Sequence, residues 1–295
     1  MSKPKRHHYV PQFALRHFAA DAKRLQIWAF DKNTDAVRRQ AIRDSAVEGY
    51  FYDDERLSKN GVDIELMLAD FESKVAPVID DIVQSKSLYS MGVYERQCVV
   101  DYLLVQLFRT RASREFTKQG AIKLGHIFDE NAAKQVSFTS LIRDFDMYRR
   151  ILDNHIVTLR VAHTHERFVL GDSVSLITLS KEEPAHALTT MLPRSTIIVP
   201  LSSSCCIMLF PSERVREVAE AEHWYRADIR VLMEAQPTAL GDVWNINKLS
   251  IIASHRFLFS SSDEFTDVRQ VLKTEPNARN GRIGGWVESR QKNER

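Results

Sequence analysis

The hydrophobic residues follow helical spacing through the first half of the chain. Between residues 62 and 86 this spacing predicts an amphipathic helix with a kink or break at Pro77. The same spacing between residues 93 and 130 predicts one long helix, or two shorter ones separated near a glycine. Residues 140–154 predict a further helix. A mainly helical first part is therefore expected.

After about residue 155 the pattern changes to short, β-rich apolar runs. The predicted strands are 156–161, 167–170, 176–179 and a longer strand or strand pair at 195–210. Two further helices are predicted at 213–234 and 242–254, before a last short strand at 257–259. This second part therefore supplies most of a sheet.

The beginning of the chain has a pattern of its own. Residues 7–10 are expected to be extended, because a proline biases the residue before it away from helix. A helix with Pro11 in its first turn follows. Residues 24–30 alternate between polar and apolar and predict a strand, with a turn at 31–34 and a hairpin partner at 36–42.

No repeat, low-complexity tract or Gly/Ser-rich linker interrupts this order. We therefore expect a single mixed α+β domain, mainly helical, with a central antiparallel or mixed sheet. The domain is expected to span residues 1–274, with an opening unit at 1–55, a helical part at 62–154, a strand-rich part at 155–210 and C-terminal helices at 211–260. Residues 275–295 are expected to form a polar, basic tail.

Composition narrows the class of protein but not its partner. A hydrophobic content of 44% and a charged content of 27% are ordinary for a globular protein, and a net charge of +2 identifies no ligand. The three cysteines, Cys98, Cys205 and Cys206, do not suggest a disulfide framework, which favours a reducing cytoplasm. No apolar stretch approaches membrane-spanning length, so no membrane association is expected.

Residues 7–18 concentrate imidazole, amide, guanidinium and aromatic groups in one short segment. Gln12 and Arg16 share a helix face at spacing i, i+4. His8 is expected at the helix entrance, where free N–H groups and the helix dipole favour an anion such as phosphate. The candidate site residues of this opening motif are His7, His8, Tyr9, Gln12 and Arg16.

This opening motif resembles the start of a mostly bacterial family, domain of unknown function 4238, whose signature is similar to His-His-Tyr-Val-Pro-Gln. Further matches follow in order as far as about Phe259. They are Glu65, Glu72, Gln106-Leu107-Phe108-Arg109-Thr110-Arg111, Gly171-Asp172-Ser173, Pro200-Leu201-Ser202, Asn245-Ile246-Asn247 and Arg256-Phe257. One position departs from the family: Val174 follows Ser173 where a proline is common, so the turn there is not carried over.

The Gly171-Asp172-Ser173 turn offers the first catalytic candidate outside the opening motif. A carboxylate at a sharp turn after a strand is held rigidly and suits a general base or an electrostatic stabiliser, and Ser173 lies beside it. The alternative is an ordinary turn in which Asp172 bonds nearby backbone. We also expect His8, Gln12 and Arg16 to line the same cavity as Asp172.

A second candidate lies on the long predicted helix. Gln106, Arg109 and Arg111 are expected to bind substrate, because guanidiniums along a helix give bidentate donors to phosphate. The alternative is a solvated surface with local acidic partners. Asn245 and Asn247 open a later helix; one amide is explained as an N-cap, and the other is a candidate for reading a nucleobase edge.

Residue chemistry alone leaves three function classes open. They are a metal-free enzyme that cleaves an N-glycosidic bond, a metal-dependent nuclease built on His7 and His8, and a nucleic-acid-binding module without catalysis. The family resemblance implies an association with phage defence and a base-excising DNA glycosylase activity. We therefore expect a cytoplasmic antiphage enzyme that needs no metal or other cofactor. It would use Asp172 and His8 to excise a modified base from phage DNA and leave an abasic site.

Overall fold

A computed structural model describes residues 6–49, 63–110, 114–115, 118, 122, 130–163, 165–178, 192–212, 225–226, 228–232 and 243–280. The helices in these ranges are α1 (Gln12–Arg16), α2 (Ile64–Ser85), α3 (Val93–Phe108), α4 (Glu130–Leu152), α5 (Val243–Ala253) and α6 (Thr266–Thr274). The strands are β1 (Arg6–His8), β2 (Gln26–Asp31), β3 (Ala36–Ala41), β4 (Val47–Gly49), β5 (His155–Val161), β6 (Leu170–Gly171), β7 (Leu176–Thr178), β8 (Thr196–Pro200), β9 (Cys205–Pro211), β10 (Tyr225–Arg226), β11 (Val231–Leu232) and β12 (Phe257–Ser260).

The described strands form three sheets. The α+β class is confirmed, and the expected central sheet corresponds only approximately to this arrangement. β1 and β4 make a two-stranded sheet, and a four-stranded sheet has the order β3-β2-β12-β6. The largest sheet has the order β10-β11-β5-β9-β8-β7, and only its β11–β5 pair is parallel. The predicted strand pair at 195–210 is confirmed as β8 and β9.

The predicted helix at 62–86 is confirmed, but its proline neither ends nor divides it. Asp63 caps the N-terminus by accepting the N–H groups of Glu65 and Leu66, and Lys86 ends the helix in the left-handed conformation. Pro77 lies inside the continuous helix. Buried apolar residues on both sides of it hold the helix against the core, so packing outweighs the lost hydrogen bond.

Three other predicted elements differ from the structure. The helix predicted at 140–154 begins earlier, at Glu130. The described part of the helix predicted at 213–234 is wrong, because residues 225–226 and 231–232 are strands that extend the large sheet from β5. A polar, basic tail was expected from residue 275 onward. Instead, α6 is followed by a short 3₁₀ helix, Pro276–Asn280, which packs on the domain and buries Ala278.

The core has two parts, one on each face of the four-stranded sheet. The larger part joins that sheet to the six-stranded sheet and to helices α1–α4. The smaller part lies between the other face and helices α5 and α6, with Phe30 and Phe265 in ring contact. All three cysteines are buried free thiols. None of the helices in the described ranges has the length and hydrophobicity that a bilayer crossing requires.

A buried histidine predicts that folding stability depends on pH. His155, at the start of β5, is 1% exposed and its Nε2 lies 3.1 Å from the carbonyl oxygen of Ser195. Burial lowers the pKa of His155 below its usual value of 6.5. Below about pH 6.5 the unfolded chain therefore binds the proton more readily, so the free energy of unfolding falls as pH falls.

We expect His155→Gln to flatten this dependence between about pH 7 and pH 5, by at most about 1.4 kcal/mol per pH unit. Denaturant unfolding at a series of pH values measures it. His165→Gln, at an exposed position, is the matched control and should keep the wild-type slope. Equal slopes in the two variants would contradict the assignment. Burial also lowers the pKa of His17, despite Asp80 beside it, so some slope should remain in both variants.

Candidate functional site

The opening motif is fixed on one side by strand pairing and on the other by the core. β1 pairs with β4, and the N–H of Tyr9 donates to the carbonyl oxygen of Ala46 at 3.0 Å. The chain then turns into α1, which buries Phe13 and Leu15. The expected extended segment and helix are confirmed, although Pro11 caps the helix instead of lying in its first turn. The motif is therefore held rigidly.

The two adjacent histidines differ in their surroundings, because neighbouring side chains of a strand point to opposite sides. His7 is 3% exposed, and its Nε2 lies 3.4 Å from a carboxylate oxygen of Glu65 in the first turn of α2. That carboxylate is 40% exposed. His8 is half-buried, with its Nε2 at 3.2 Å from the carbonyl oxygen of Arg43. His7 and Glu65 thus form an imidazole–carboxylate pair that reaches solvent only through the carboxylate.

A buried guanidinium joins the motif to two helices. Arg109, directly after α3, donates to the Glu72 carboxylate of α2 and to the carbonyl oxygen of His8 at 2.6 Å. Nearby, Arg114 Nη2 lies 3.6 Å from Glu48 of β4. Arg109 is 4% exposed, so its donors serve the protein interior and form no surface edge for phosphate. Arg111, its expected partner, lies outside the described residues.

Gln106 lies between Arg109 and Tyr102 along one face of α3, by its helical spacing. Its side chain is fully buried, and the described part of the chain offers no hydrogen-bond partner to either amide atom. Tyr102 below it contacts Phe13 of α1 at a ring distance of 5.6 Å, and burial raises the pKa of that tyrosine. The unsatisfied amide costs about 1–3 kcal/mol, so a purely structural role does not explain it.

We call His7, Glu65, Glu72, Gln106 and Arg109 the motif cluster. It gathers an imidazole, an amide and a guanidinium in the interior, and its two carboxylates are its partly exposed members. Ion pairs of this kind contribute little net stability, because desolvation offsets their attraction. The family resemblance marked four of these five positions, and the opening motif marked His7. The sequence did not predict that Glu65 of α2 would pair with His7.

The remaining opening-motif candidates occupy different environments. Tyr9 is 5% exposed, Gln12 is half-buried and Arg16 is exposed on α1. The binding roles of these residues stay predictions. The expected shared cavity with Asp172 also stays a prediction for His8, Gln12 and Arg16.

The Asp172 carboxylate organises the chain between α5 and β12. It accepts the backbone N–H groups of His255, Arg256 and Phe257 at 2.6, 2.8 and 2.9 Å, and the side chain is only 5% exposed. This is the structural alternative foreseen for the turn, except that the backbone lies more than 80 residues away in sequence. A Cβ at Gly171 would lie 3.0 Å from the carbonyl oxygen of Ser250 and 3.1 Å from the Cβ of Ser254, so a side chain there would force these neighbours to shift.

A buried lysine that no sequence pattern singles out lies near this carboxylate. Lys32 is 0% exposed, and its Nζ donates to the carbonyl oxygens of Ile251 and Ser254 at 2.7 and 2.5 Å. A cation there satisfies the last carbonyls of α5. Burial lowers the pKa of Lys32 to about 8, while the Asp172 charge opposes that change. A lysine in a predicted turn gives no signal of burial, so only the fold reveals it.

The other predicted binding residues near this turn are used by the protein itself. Asn247 accepts the N–H of Val169 at 2.9 Å and donates to the carbonyl oxygen of Arg167 at 2.8 Å. Ser173 is 4% exposed. Asn245 and Asn247 both lie inside α5, which begins at Val243, so the N-cap expectation is wrong for both. Asn247 holds the segment before β6, and this contact explains its amide.

Arg256 connects the Asp172 turn with the opening motif. Its hydrogen bonds to Asp31 are the main cause that raises its pKa, and the charges of Tyr9 and Asp172 raise that pKa further. Tyr9 therefore lies within electrostatic range of the residue whose backbone Asp172 holds.

Among the described residues, neither the metal-ligating side chains nor the cleft between α2 and α3 supplies a second candidate site. Within the described ranges, no three His, Cys, Asp or Glu side chains are grouped so as to hold a metal ion. A cleft of about 470 Å³ lies elsewhere, between α2 and the start of α3. Lys74 and Glu95 in its lining are already bonded, to Asp70 and to the backbone of Gly92. The motif cluster therefore remains the candidate site.

A family model described as "Protein of unknown function (DUF4238)" matches residues 6–264. The match contains the whole motif cluster and the Asp172 turn. No curated protein and no solved structure is similar enough to the chain to count as a match.

The geometry of Asp172 predicts a large effect on stability. We expect Asp172→Asn to lower the free energy of unfolding by about 2–4 kcal/mol, because a neutral amide accepts fewer N–H groups and accepts them more weakly. Denaturant unfolding measures the change. Asp35→Asn, in the more exposed Arg279 ion pair, is the control and should change it by less than about 1 kcal/mol. Equal effects would show that the three amide contacts do not stabilise the fold.

Proposed function

The chain belongs to the DUF4238 family of proteins of unknown function, and we propose that it hydrolyses an N-glycosidic bond in DNA at the motif cluster. The family resemblance of the opening motif to defence-associated proteins makes phage DNA with modified bases the first substrate to test. The product is a released base and an abasic site.

One observation carries the proposal: the motif cluster buries polar groups beyond what the fold needs. Gln106 costs stability with no hydrogen-bond partner in the described ranges, and Arg109 and His7 are desolvated next to carboxylates. A core selected for stability would hold apolar residues in these places. Retention of the polar groups supports a chemical role.

The groups fit base excision. A base taken out of the helix is recognised by hydrogen bonds to its edge, and an amide such as that of Gln106 gives one donor group and one acceptor. Because Gln106 is fully buried, the base reaches its amide only after the surrounding side chains move. Glu65 would stabilise the positive charge that develops on the sugar and accept a proton from the attacking water, with His7 orienting the carboxylate.

The bond changes are those of a simple hydrolysis. Water adds its oxygen to C1′ of the sugar, and the bond to the base breaks with its electron pair on the base nitrogen. Glu65 takes one proton from the water, and the departing base takes one from solvent. We assign the carboxylate role to Glu65 and not to Asp172, whose oxygens already accept three backbone N–H groups.

We expect Glu65→Gln to reduce base release at least about 100-fold, because loss of a general base typically costs that much. The assay is incubation with phage genomic DNA, mass spectrometry of released bases and alkali cleavage at abasic sites. Asp70→Asn, a surface carboxylate on the same helix, is the control and should keep wild-type activity. Full activity in Glu65→Gln would remove Glu65 from the mechanism.

The same assay in EDTA tests the metal-dependent alternative. Base release is expected to persist, since a carboxylate and an imidazole activate the water in the proposed step. Strand cleavage that disappears with EDTA and returns with magnesium, manganese or zinc would instead assign a nuclease that uses His7.

A substitution at Gln106 tests whether the motif cluster is functional or only structural. We expect Gln106→Met to leave the free energy of unfolding unchanged or to raise it by about 1 kcal/mol, because it removes an unsatisfied buried amide at similar volume. Base release should fall at least about tenfold, because the edge of the base loses its partner. Gln97→Met, at a glutamine of α3 already bonded to Asp101, is the control for activity. Lower stability with intact activity would contradict the assignment.

A further inference from the structure

Arg256 is held in place by three contacts. Its Nε and Nη2 donate to both carboxylate oxygens of Asp31, the shortest distance being 2.7 Å. Its guanidinium carbon lies 4.8 Å from the ring centre of Phe257, and its backbone N–H donates to Asp172. The side chain is nevertheless 44% exposed. The Asp31 side chain is only 9% exposed, so the buried carboxylate fixes a guanidinium that itself reaches solvent.

The Asp31 contact uses only one edge of the guanidinium. Within the described part of the chain, Nη1 has no acceptor, so its two N–H groups remain available at a partly exposed position. A guanidinium whose rotamer is already fixed loses little entropy when it binds a second anion. Its planar donors match the oxygens of phosphate.

The local charge also favours an anion. The hydrogen bond from Arg256 is the main cause that lowers the pKa of Asp31, and the charge of Arg38 lowers that pKa further. Two cations therefore act on one carboxylate. The charge of Asp172 nearby is opposed by buried Lys32. The Arg279 pair differs: its Nη1 and Nη2 each donate at 2.9 Å to Asp35, one cation to one anion.

We propose that Arg256 binds a phosphate group of the nucleic-acid strand whose base is excised. This inference rests on the proposed function for its choice of ligand. Tyr9, whose charge contributes to the raised pKa of Arg256, belongs to the opening motif, which supplies His7 to the cluster. Arg256 thus takes the role that the sequence suggested for Arg109, whose own guanidinium is buried.

The test is the salt dependence of binding to a fluorescein-labelled oligonucleotide, followed by anisotropy. We expect Arg256→Gln to weaken binding about threefold to tenfold and to reduce the slope of log Kd against log salt by about one. Arg279→Gln, an equally paired arginine, should change neither quantity. Thermal unfolding verifies that each variant is folded. An unchanged slope in Arg256→Gln, or no salt-dependent binding by the wild-type protein, would overturn the inference.

Arg256→Lys carries the test if the glutamine variant does not fold. It keeps the charge, so the slope should stay at the wild-type value while affinity falls, since lysine lacks the planar donors. Wild-type affinity in this variant would overturn the inference. Arg256-dependent binding of a nucleoside 5′-monophosphate but not of the oligonucleotide would overturn the assignment to a strand. An Arg256-dependent slope without base release would refute the proposed function and leave this inference standing.

Discussion

The guanidinium of Arg109 joins three parts of the chain in the interior, namely α2, β1 and the end of α3. It bonds Glu72 of α2 and the backbone of His8 in β1 while it ends α3. Because it is buried, each of these acceptors is needed: removal of one would leave an uncompensated charge in the interior. This requirement fixes the positions of β1 and α2 relative to α3. The His7–Glu65 pair and the surroundings of Gln106 follow from it.

A second buried arrangement supports the opposite side of the four-stranded sheet. The carboxylate of Asp172 gathers three backbone N–H groups, and the ammonium of Lys32 gathers the last carbonyls of α5. Every one of these contacts is between a charged side chain and the backbone. Such contacts fix where α5 ends and β12 begins, and hence where Arg256 emerges. One arrangement therefore shapes the candidate site, and the other shapes its border.

Local patterns in the sequence predicted many of the elements but not the contacts between them. A β-rich apolar run predicted the strand pair at 195–210, and the proline of the opening motif predicted an extended segment before a helix, because both depend on neighbouring residues. The sequence pattern predicts helix where the two-residue strands β10 and β11 lie. Their pairing with each other and with β5 depends on distant residues, so no local pattern indicates it. The partners of Asp172 lie more than 80 residues away, so spacing could name the carboxylate but not its role.

The contact between Arg109 and His8 spans 101 residues, and it sets an order on assembly. Both α2 and α3 lie between the histidines and this arginine in the chain. Closing so large a loop is entropically unfavourable until the intervening helices have docked, so the cluster should form late in folding. A partly folded chain would therefore have its helices in place before the motif cluster is complete.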